Sequence, residues 1–165
     1  MSAHGRGATR GRLLQRAVPG RARLSARTVE GGLAVAGGLI AGYLSWVYVN
    51  GGKAICAGIG QCEVVQASSY SRFMGVPVAV LGLVTYLAVL GLVWLRGRLS
   101  GQQAELALLA QFVLLFVGVA LSAWLTYVEL FVIYAICPWC VTSAVIITLL
   151  FLVTVRDLVR ASAQA

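Results

Sequence analysis

Four long runs without a charged residue constrain the fold of this chain more than any other feature. They cover residues 31–52, 73–95, 106–128 and 130–155. Each is at least as long as the roughly 20 apolar residues that a helix needs to cross the hydrocarbon of a bilayer. In addition, 60% of the 165 residues are hydrophobic and only 11% are charged, which is far from the composition of soluble proteins. The sequence therefore predicts an all-α integral membrane protein, a bundle of four transmembrane helices.

The basic residues lie mostly on one side of the predicted bundle. Eleven of the thirteen Lys and Arg residues precede the first run, lie between the second and third runs, or follow the fourth. Only Lys53 and Arg72 lie in the other two links. Because Lys and Arg are enriched in the cytoplasmic links of membrane proteins, we expect both termini in the cytoplasm. The segments around 51–72 and 128–137 are then expected on the outer side, with the protein in the inner (cytoplasmic) membrane.

The same distribution accounts for the net charge of +8. Residues 1–28 form a basic arm without a sustained helical stripe, which we expect to be disordered. Residues 29–156 form the predicted membrane domain, and residues 157–165 form a cytoplasmic tail. Because the excess charge lies in the arm and the cytoplasmic links, it suits contact with anionic lipid. We therefore expect the lipid bilayer, and no nucleic acid, as a partner.

Two cysteine pairs lie on the predicted outer side, and they contain all four cysteines of the chain. Cys56 and Cys62 lie in the first outer link, and Cys137 and Cys140 open the fourth span as C-P-W-C. At a helix start, free backbone N–H groups and the helix dipole stabilise a thiolate. Thiolates attack disulfides and soft electrophiles. The pattern indicates thiol–disulfide chemistry at the membrane surface.

Two other interpretations of the cysteines remain open. Four thiolates that include a C-x-x-C pair could hold a structural zinc ion. Both pairs could also be inert structural disulfides of a membrane scaffold. A C-x-x-C disulfide at a helix start is usually strained and reducible, which favours a working redox pair. We therefore expect no metal.

The motifs around the cysteines resemble those of the bacterial vitamin K epoxide reductase family. Five residues separate Cys56 from Cys62, the stretch E-V-V-Q-A-S-S-Y-S-R-F-M-G-V-P follows, and C-P-W-C opens the last helix. The similarity covers roughly residues 31–156. It implies an enzyme that reduces a membrane quinone, menaquinone or ubiquinone, with electrons from a thioredoxin-fold partner. Because the chain ends soon after the fourth span, we expect that partner to be a separate, DsbA-like protein.

The resemblance also implies a division of labour between the cysteines. Cys137 and Cys140 would be the active-site pair, and Cys56 and Cys62 would shuttle electrons from the partner. Cys140 lies about one turn inside the helix, so we expect it to contact the quinone. Cys137 would exchange with Cys62, and Cys56 would meet the partner.

Three further residues are candidates for quinone binding. Ser68 matches a serine that the family places near the quinone head group, and Ser69 is the neighbouring alternative. Trp139 lies between the two active-site cysteines, where it could form a wall of the quinone pocket.

Differences from vertebrate family members and from another class of quinone-linked oxidases narrow the chemistry that we expect. Vertebrate members of the family carry a tyrosine one turn past the C-x-x-C motif, where this chain has Ala144, so we expect plain quinone reduction and not epoxide reduction. Quinone-linked oxidases of the DsbB type also have four helices and two outer cysteine pairs. They place C-x-x-C in the first outer loop, the reverse of the order seen here.

Smaller features complete the prediction. Residues in the stretch 63–73 recur at the spacing of one helical face, which predicts a short amphipathic helix on the membrane surface. Gln111 lies inside the third apolar run and is expected to join neighbouring helices by hydrogen bonds. Glu129, at the outer end of that span, is expected to be a solvated helix-end charge and not a catalytic base.

Overall fold

A computed structural model describes residues 6–56 and 60–163, with side chains from residue 26 onward. Helix α1 is Arg6–Val49, and the link after it contains α2, Cys62–Ala67, and a 3₁₀ turn, Ser69–Ser71. Strands β1, Arg72–Phe73, and β2, Val76–Pro77, follow. Helix α3 is Val78–Arg98, and α4 is Gln102–Val128, which continues into a π-helical turn, Glu129–Ile133. Helix α5 is Pro138–Ser162.

Within the described residues, four helical segments are long and apolar enough to cross a membrane. They are Ala26–Val49, Val78–Arg98, Gln102–Ile133 and Pro138–Ser162. Each carries large apolar side chains on its outer surface, for example Leu39, Leu87, Phe116 and Leu152. Such surfaces are rare on soluble proteins but match the hydrocarbon of a bilayer. The predicted four-helix membrane fold is confirmed, and the chain is a multi-pass membrane protein.

Helix α1 starts upstream of its membrane span. Its backbone is helical from Arg6, whereas the sequence predicts a disordered arm over residues 1–28; residues 1–5 lie outside the described ranges. Arg, Ala and Leu are frequent in this stretch and have high helix propensity. A helix that the apolar span has already nucleated can extend without a second nucleation step, which accounts for the difference.

The four long helices surround one core. Helices α1 and α4 each pack against α3 and α5. Tyr86 of α3 is buried at the centre, in one cluster with Leu115 of α4 and Leu150 of α5. A Cβ atom at Gly37 of α1 would overlap the Tyr86 ring. The glycine therefore allows α1 and α3 to approach closely, as small residues do in membrane helices.

A buried polar network joins all four helices at the Arg96 end of the bundle. Arg96 forms ion pairs with Glu30 at 3.2 Å and with Asp157 at 3.1 Å. It also donates to Gln111 Oε1 at 2.9 Å, and Gln111 Nε2 donates to Thr154 at 2.9 Å. Buried charges are costly unless they are paired and hydrogen-bonded, and here they are both. The expectation that Gln111 joins helices is confirmed, while Arg96 is buried and not free in a link.

The link between α1 and α3 contains the predicted surface helix and an unexpected hairpin. Helix α2, Cys62–Ala67, begins one residue before the stretch 63–73 that is predicted to form a short helix, and it covers the first half of that stretch. Strands β1 and β2 are antiparallel, and Phe73 pairs with Val76. Met74 and Gly75 between them have φ angles of 51° and 85°. Two positive φ angles are typical of the tight hairpin turns that match strand twist. The hairpin reverses the chain and leads it into α3.

Candidate active site

The two cysteine pairs differ in their redox state. Cys56 and Cys62 form a disulfide with a Cα–Cα distance of 6.3 Å. Cys137 and Cys140 are free thiols. Cys62 and Cys137 are almost completely buried, with 2% and 1% of their surface exposed.

A close backbone contact docks the loop pair on the start of α5. The N–H of Gln61 donates to the carbonyl of Ile136 at 3.0 Å. Gly60 precedes it with φ of +97°, and a Cβ atom there would lie 2.6 Å from the Ile136 oxygen and 2.7 Å from Pro138 Cδ. Only glycine combines this backbone conformation with such an approach. The loop therefore depends on Gly60 to reach the helix.

Trp139 holds the other side of the same loop. Its indole N–H donates to the carbonyl of Ile55 at 3.0 Å, and the N–H of Ile55 donates to the Tyr43 hydroxyl at 3.0 Å. The rings of Tyr43 and Trp139 pack with their centroids 5.4 Å apart. Trp139 thus contacts the loop and α1. The sequence suggests instead that it forms a wall of a quinone pocket, but it does not line the cavity beside the cysteines.

These contacts bring the two cysteine pairs together. Cys62 and Cys137 belong to one buried cluster with Leu44, Val47 and Ala54. The remaining two cysteines pack against that cluster. Cys62 and Cys137 therefore share one buried, largely apolar surrounding.

The start of α5 stabilises Cys137 in a specific way. Cys137 is the N-cap residue, and its sulfur accepts a hydrogen bond from the N–H of Cys140 at 3.4 Å. Pro138 occupies the first helical position, where its missing N–H costs nothing. The hydrogen bond from the Cys140 thiol, helped by backbone N–H groups, lowers the pKa of Cys137 against the opposing effect of burial. The surroundings at the start of α5 therefore favour the thiolate of Cys137.

Glu129 lies in this site and is not a solvated helix-end charge. Only 5% of its surface is exposed. Its carboxyl group accepts a hydrogen bond from the N–H of Cys137 at 3.1 Å. The π-helical turn Glu129–Ile133 is followed by Tyr134, whose φ is 53°. This local widening turns the chain back toward α5, so the expectation from helix position alone is wrong.

A cavity of about 280 Å³ opens beside the C-x-x-C pair. Apolar side chains from α1, α3, α4 and α5 form most of its wall, and Cys137, Cys140 and Glu129 reach it from one end. Tyr86 and Ser143 also border it, with their hydroxyl oxygens 2.9 Å apart. An apolar cavity with a few convergent polar groups is the usual form of a small-molecule site.

Both predicted serines border the cavity, but their hydroxyl groups differ. Ser68 is half-buried, and its hydroxyl donates to the carbonyl of Val65 at 2.7 Å. Ser69 is exposed, and its hydroxyl has no hydrogen bond with another residue in the described part of the chain. The Ser68 proton is therefore already engaged at the end of α2, whereas the Ser69 hydroxyl is available to a bound molecule.

A sequence model of the vitamin K epoxide reductase family matches residues 29–155 of this chain. The chain belongs to the vitamin K epoxide reductase family. The match covers all four spans and both cysteine pairs, so the chain is a membrane oxidoreductase of a family that works with quinones. Over residues 6–56 and 60–163, no group of three or more His, Cys, Asp or Glu side chains is arranged to hold a metal ion.

Sequence reasoning missed Glu129, Tyr86 and Ser143 as residues of the site. A signal for Glu129 was present, because it is the one charged residue that interrupts the apolar stretch between 106 and 155. Ionisable residues within membrane segments are functional candidates by default. Tyr86 and Ser143 gave no such signal, since their hydrogen bond depends on how α3 and α5 pack.

The docking contact at Gly60 leads to a test with a matched control. Gly60→Ala should displace the loop from α5, because the added methyl group collides with Ile136 and the positive φ becomes strained. We expect the Gln61 amide to exchange with deuterium at least about 10-fold faster, as expected when a hydrogen bond worth about 1.4 kcal/mol opens. Gly52→Ala, in the same link but without positive φ or a close contact, should leave that amide unchanged. Equal exchange rates in the two variants would contradict the docking role of Gly60.

Proposed function

We propose that this chain is a quinone-reducing thiol oxidoreductase that supports disulfide bond formation. Electrons pass from a thioredoxin-fold partner to Cys56 and Cys62, then to Cys137 and Cys140, and finally to a membrane quinone. The observation that carries this proposal is the shared buried cluster of Cys62 and Cys137. It gives two otherwise separate thiol pairs a direct route for exchange.

The cavity supports the last step of this route. It reaches both thiols of the C-x-x-C pair and continues between apolar walls from all four long helices. An isoprenoid tail suits such walls, while the hydroxyl groups of Ser68 and Ser69 lie at the rim for a quinone head group. In this step two S–H bonds break and one S–S bond forms between Cys137 and Cys140. Two electrons and two protons convert the quinone, menaquinone or ubiquinone, into the quinol.

The earlier steps restore the reduced active-site pair. A dithiol partner reduces the Cys56–Cys62 disulfide, with Cys56 as the half-buried sulfur that the partner meets. The Cys62 thiolate then attacks Cys137 in the Cys137–Cys140 disulfide, and Cys140 leaves as the thiol or thiolate. Cys56 next attacks Cys62 in the Cys62–Cys137 mixed disulfide, which re-forms the Cys56–Cys62 disulfide and releases Cys137. The lowered pKa of Cys137 makes it a good leaving group in this last step. The partner is proposed to be a separate DsbA-like protein.

The distribution of basic residues supports a location for the thiol chemistry. Arg98, Arg156 and Arg160 lie at the end of the bundle opposite to the cysteines, along the ends of α3 and α5. By the positive-inside rule this end faces the cytoplasm, so the cysteines face the extracytoplasmic side of the inner membrane. A thiol partner would therefore be extracytoplasmic, where disulfides form and persist.

A direct assay tests the function. The protein in lipid nanodiscs, with excess small dithiol and a water-soluble quinone, should convert quinone to quinol over many turnovers. Cys137→Ser and Cys140→Ser should each reduce the rate to that of the mixture without protein, because neither can form the active-site disulfide. Thr148→Val, a lipid-facing change on the same helix, should keep the wild-type rate. A non-enzymatic scaffold with structural disulfides would give no turnover in any of these proteins.

The two serines give a second test with an internal control. A hydroxyl that donates to a quinone oxygen stabilises the negative charge that develops there, as donors in oxyanion sites do. Ser69→Ala is expected to lower kcat by about 10²-fold, the usual loss for one such donor. Ser68→Ala should instead cost about 1 kcal/mol of stability, because its hydroxyl bonds Val65. A large kcat loss in Ser68→Ala alone would assign the donor to Ser68.

A further inference from the structure

The position of Glu129 is unusual for an acidic residue at a membrane surface. The chain contains five Asp and Glu residues. Two of them, Glu30 and Asp157, pair with Arg96, and Glu63 pairs with Lys53 at 3.0 Å. Within the described residues, none of the ion pairs includes Glu129. A buried carboxylate without a cation is costly, so a purely structural role explains it poorly.

The contacts of Glu129 point to the reacting thiols. Its Oε2 atom accepts a hydrogen bond from the N–H of Cys137, and the sulfur of Cys137 accepts one from the N–H of Cys140. Cys140 lines the same cavity as Glu129. A neutral carbonyl could satisfy the Cys137 N–H equally well without burying a charge. The acidic group adds one property that a carbonyl lacks, which is the ability to accept and release a proton. Glu129 also borders the cavity, so a proton held there is close to a molecule bound in it.

We propose that Glu129 is a catalytic residue that takes the proton from the Cys140 thiol and passes it to a quinone oxygen. The inference rests on the proposed function. In the quinone-reducing step the S–H bond of Cys140 breaks, its sulfur bonds to Cys137, and two electrons leave for the quinone. The Cys140 proton moves to the Glu129 carboxylate and then to the reduced quinone, so Glu129 ends the step as a carboxylate. The second proton that the quinol gains comes from the Cys137 thiol.

Glu129→Gln separates proton transfer from positioning. The amide oxygen of glutamine can still accept the hydrogen bond from Cys137, but the amide cannot take up a proton. We expect kcat for quinone reduction to fall about 10²- to 10⁴-fold, the range for loss of a general base, with the KM for quinone and the thermal midpoint unchanged. Glu105→Gln, an exposed acid at the other end of α4, should keep the wild-type kcat. Reduction of the Cys56–Cys62 disulfide by a small dithiol should be unaffected by either change.

A second measurement needs no quinone. Infrared difference spectra between the reduced and the oxidised wild-type protein should contain a carboxyl band, because oxidation removes the thiol proton of Cys140, which lines the same cavity as Glu129. The band should disappear in Glu129→Gln and persist in Glu105→Gln. If glutamine prevents folding, a wild-type spectrum without any carboxyl band would itself overturn the proposal.

The outcomes separate this proposal from the proposed function. A wild-type protein that reduces no quinone would overturn both. If the wild-type protein is active and Glu129→Gln has the same kcat as Glu105→Gln, only the proposed role of Glu129 would be overturned. In that case its carboxylate would merely hold the Cys137 N–H.

Discussion

The docking of the first outer link on the start of α5 is the contact on which the rest of the site depends. The hydrogen bond from Gln61 to Ile136 and the close approach of Gly60 bring the loop disulfide against the helix. Trp139 fixes the loop from the other side through Ile55. This contact places Cys62 and Cys137 in one buried cluster, and the proposed transfer of electrons between the two pairs depends on it. Without it, the loop would carry an isolated disulfide.

The membrane bundle supplies the rigid frame for this contact. At one end a fully paired polar network ties the four long helices through Arg96 and Gln111, so the helices cannot slide independently. In the core, Gly37 lets Tyr86 fit between α1 and α3. Toward the other end the helices separate enough to leave the cavity. The cavity that we propose for the quinone is lined by Cys137 and Cys140, and the apolar outer surfaces of the helices match the hydrocarbon of the bilayer.

The fold and the identity of the thiols were largely predictable from the sequence, because length, hydropathy and cysteine spacing are local properties. The four spans, the short helix after Cys62 and the role of Gln111 all follow from such patterns. The buried position of Glu129 could not be predicted in this way, because it depends on a π-helical turn that local residue preferences do not predict. The contact of Trp139 with the loop was also hidden, since it requires knowing how residues 84 positions apart meet. Residues whose role depends on tertiary packing were the ones that sequence reasoning misplaced.

The central claim is that Cys62 and Cys137 exchange directly, and trapping that intermediate tests it most directly. A variant with Cys56→Ser and Cys140→Ser retains only these two thiols. After mild oxidation in lipid, mass spectrometry under non-reducing conditions should find a Cys62–Cys137 disulfide in most of the protein. The complementary variant, which retains only Cys56 and Cys140, should form little disulfide. Failure of the first pair to cross-link, or equal cross-linking of both pairs, would contradict the account.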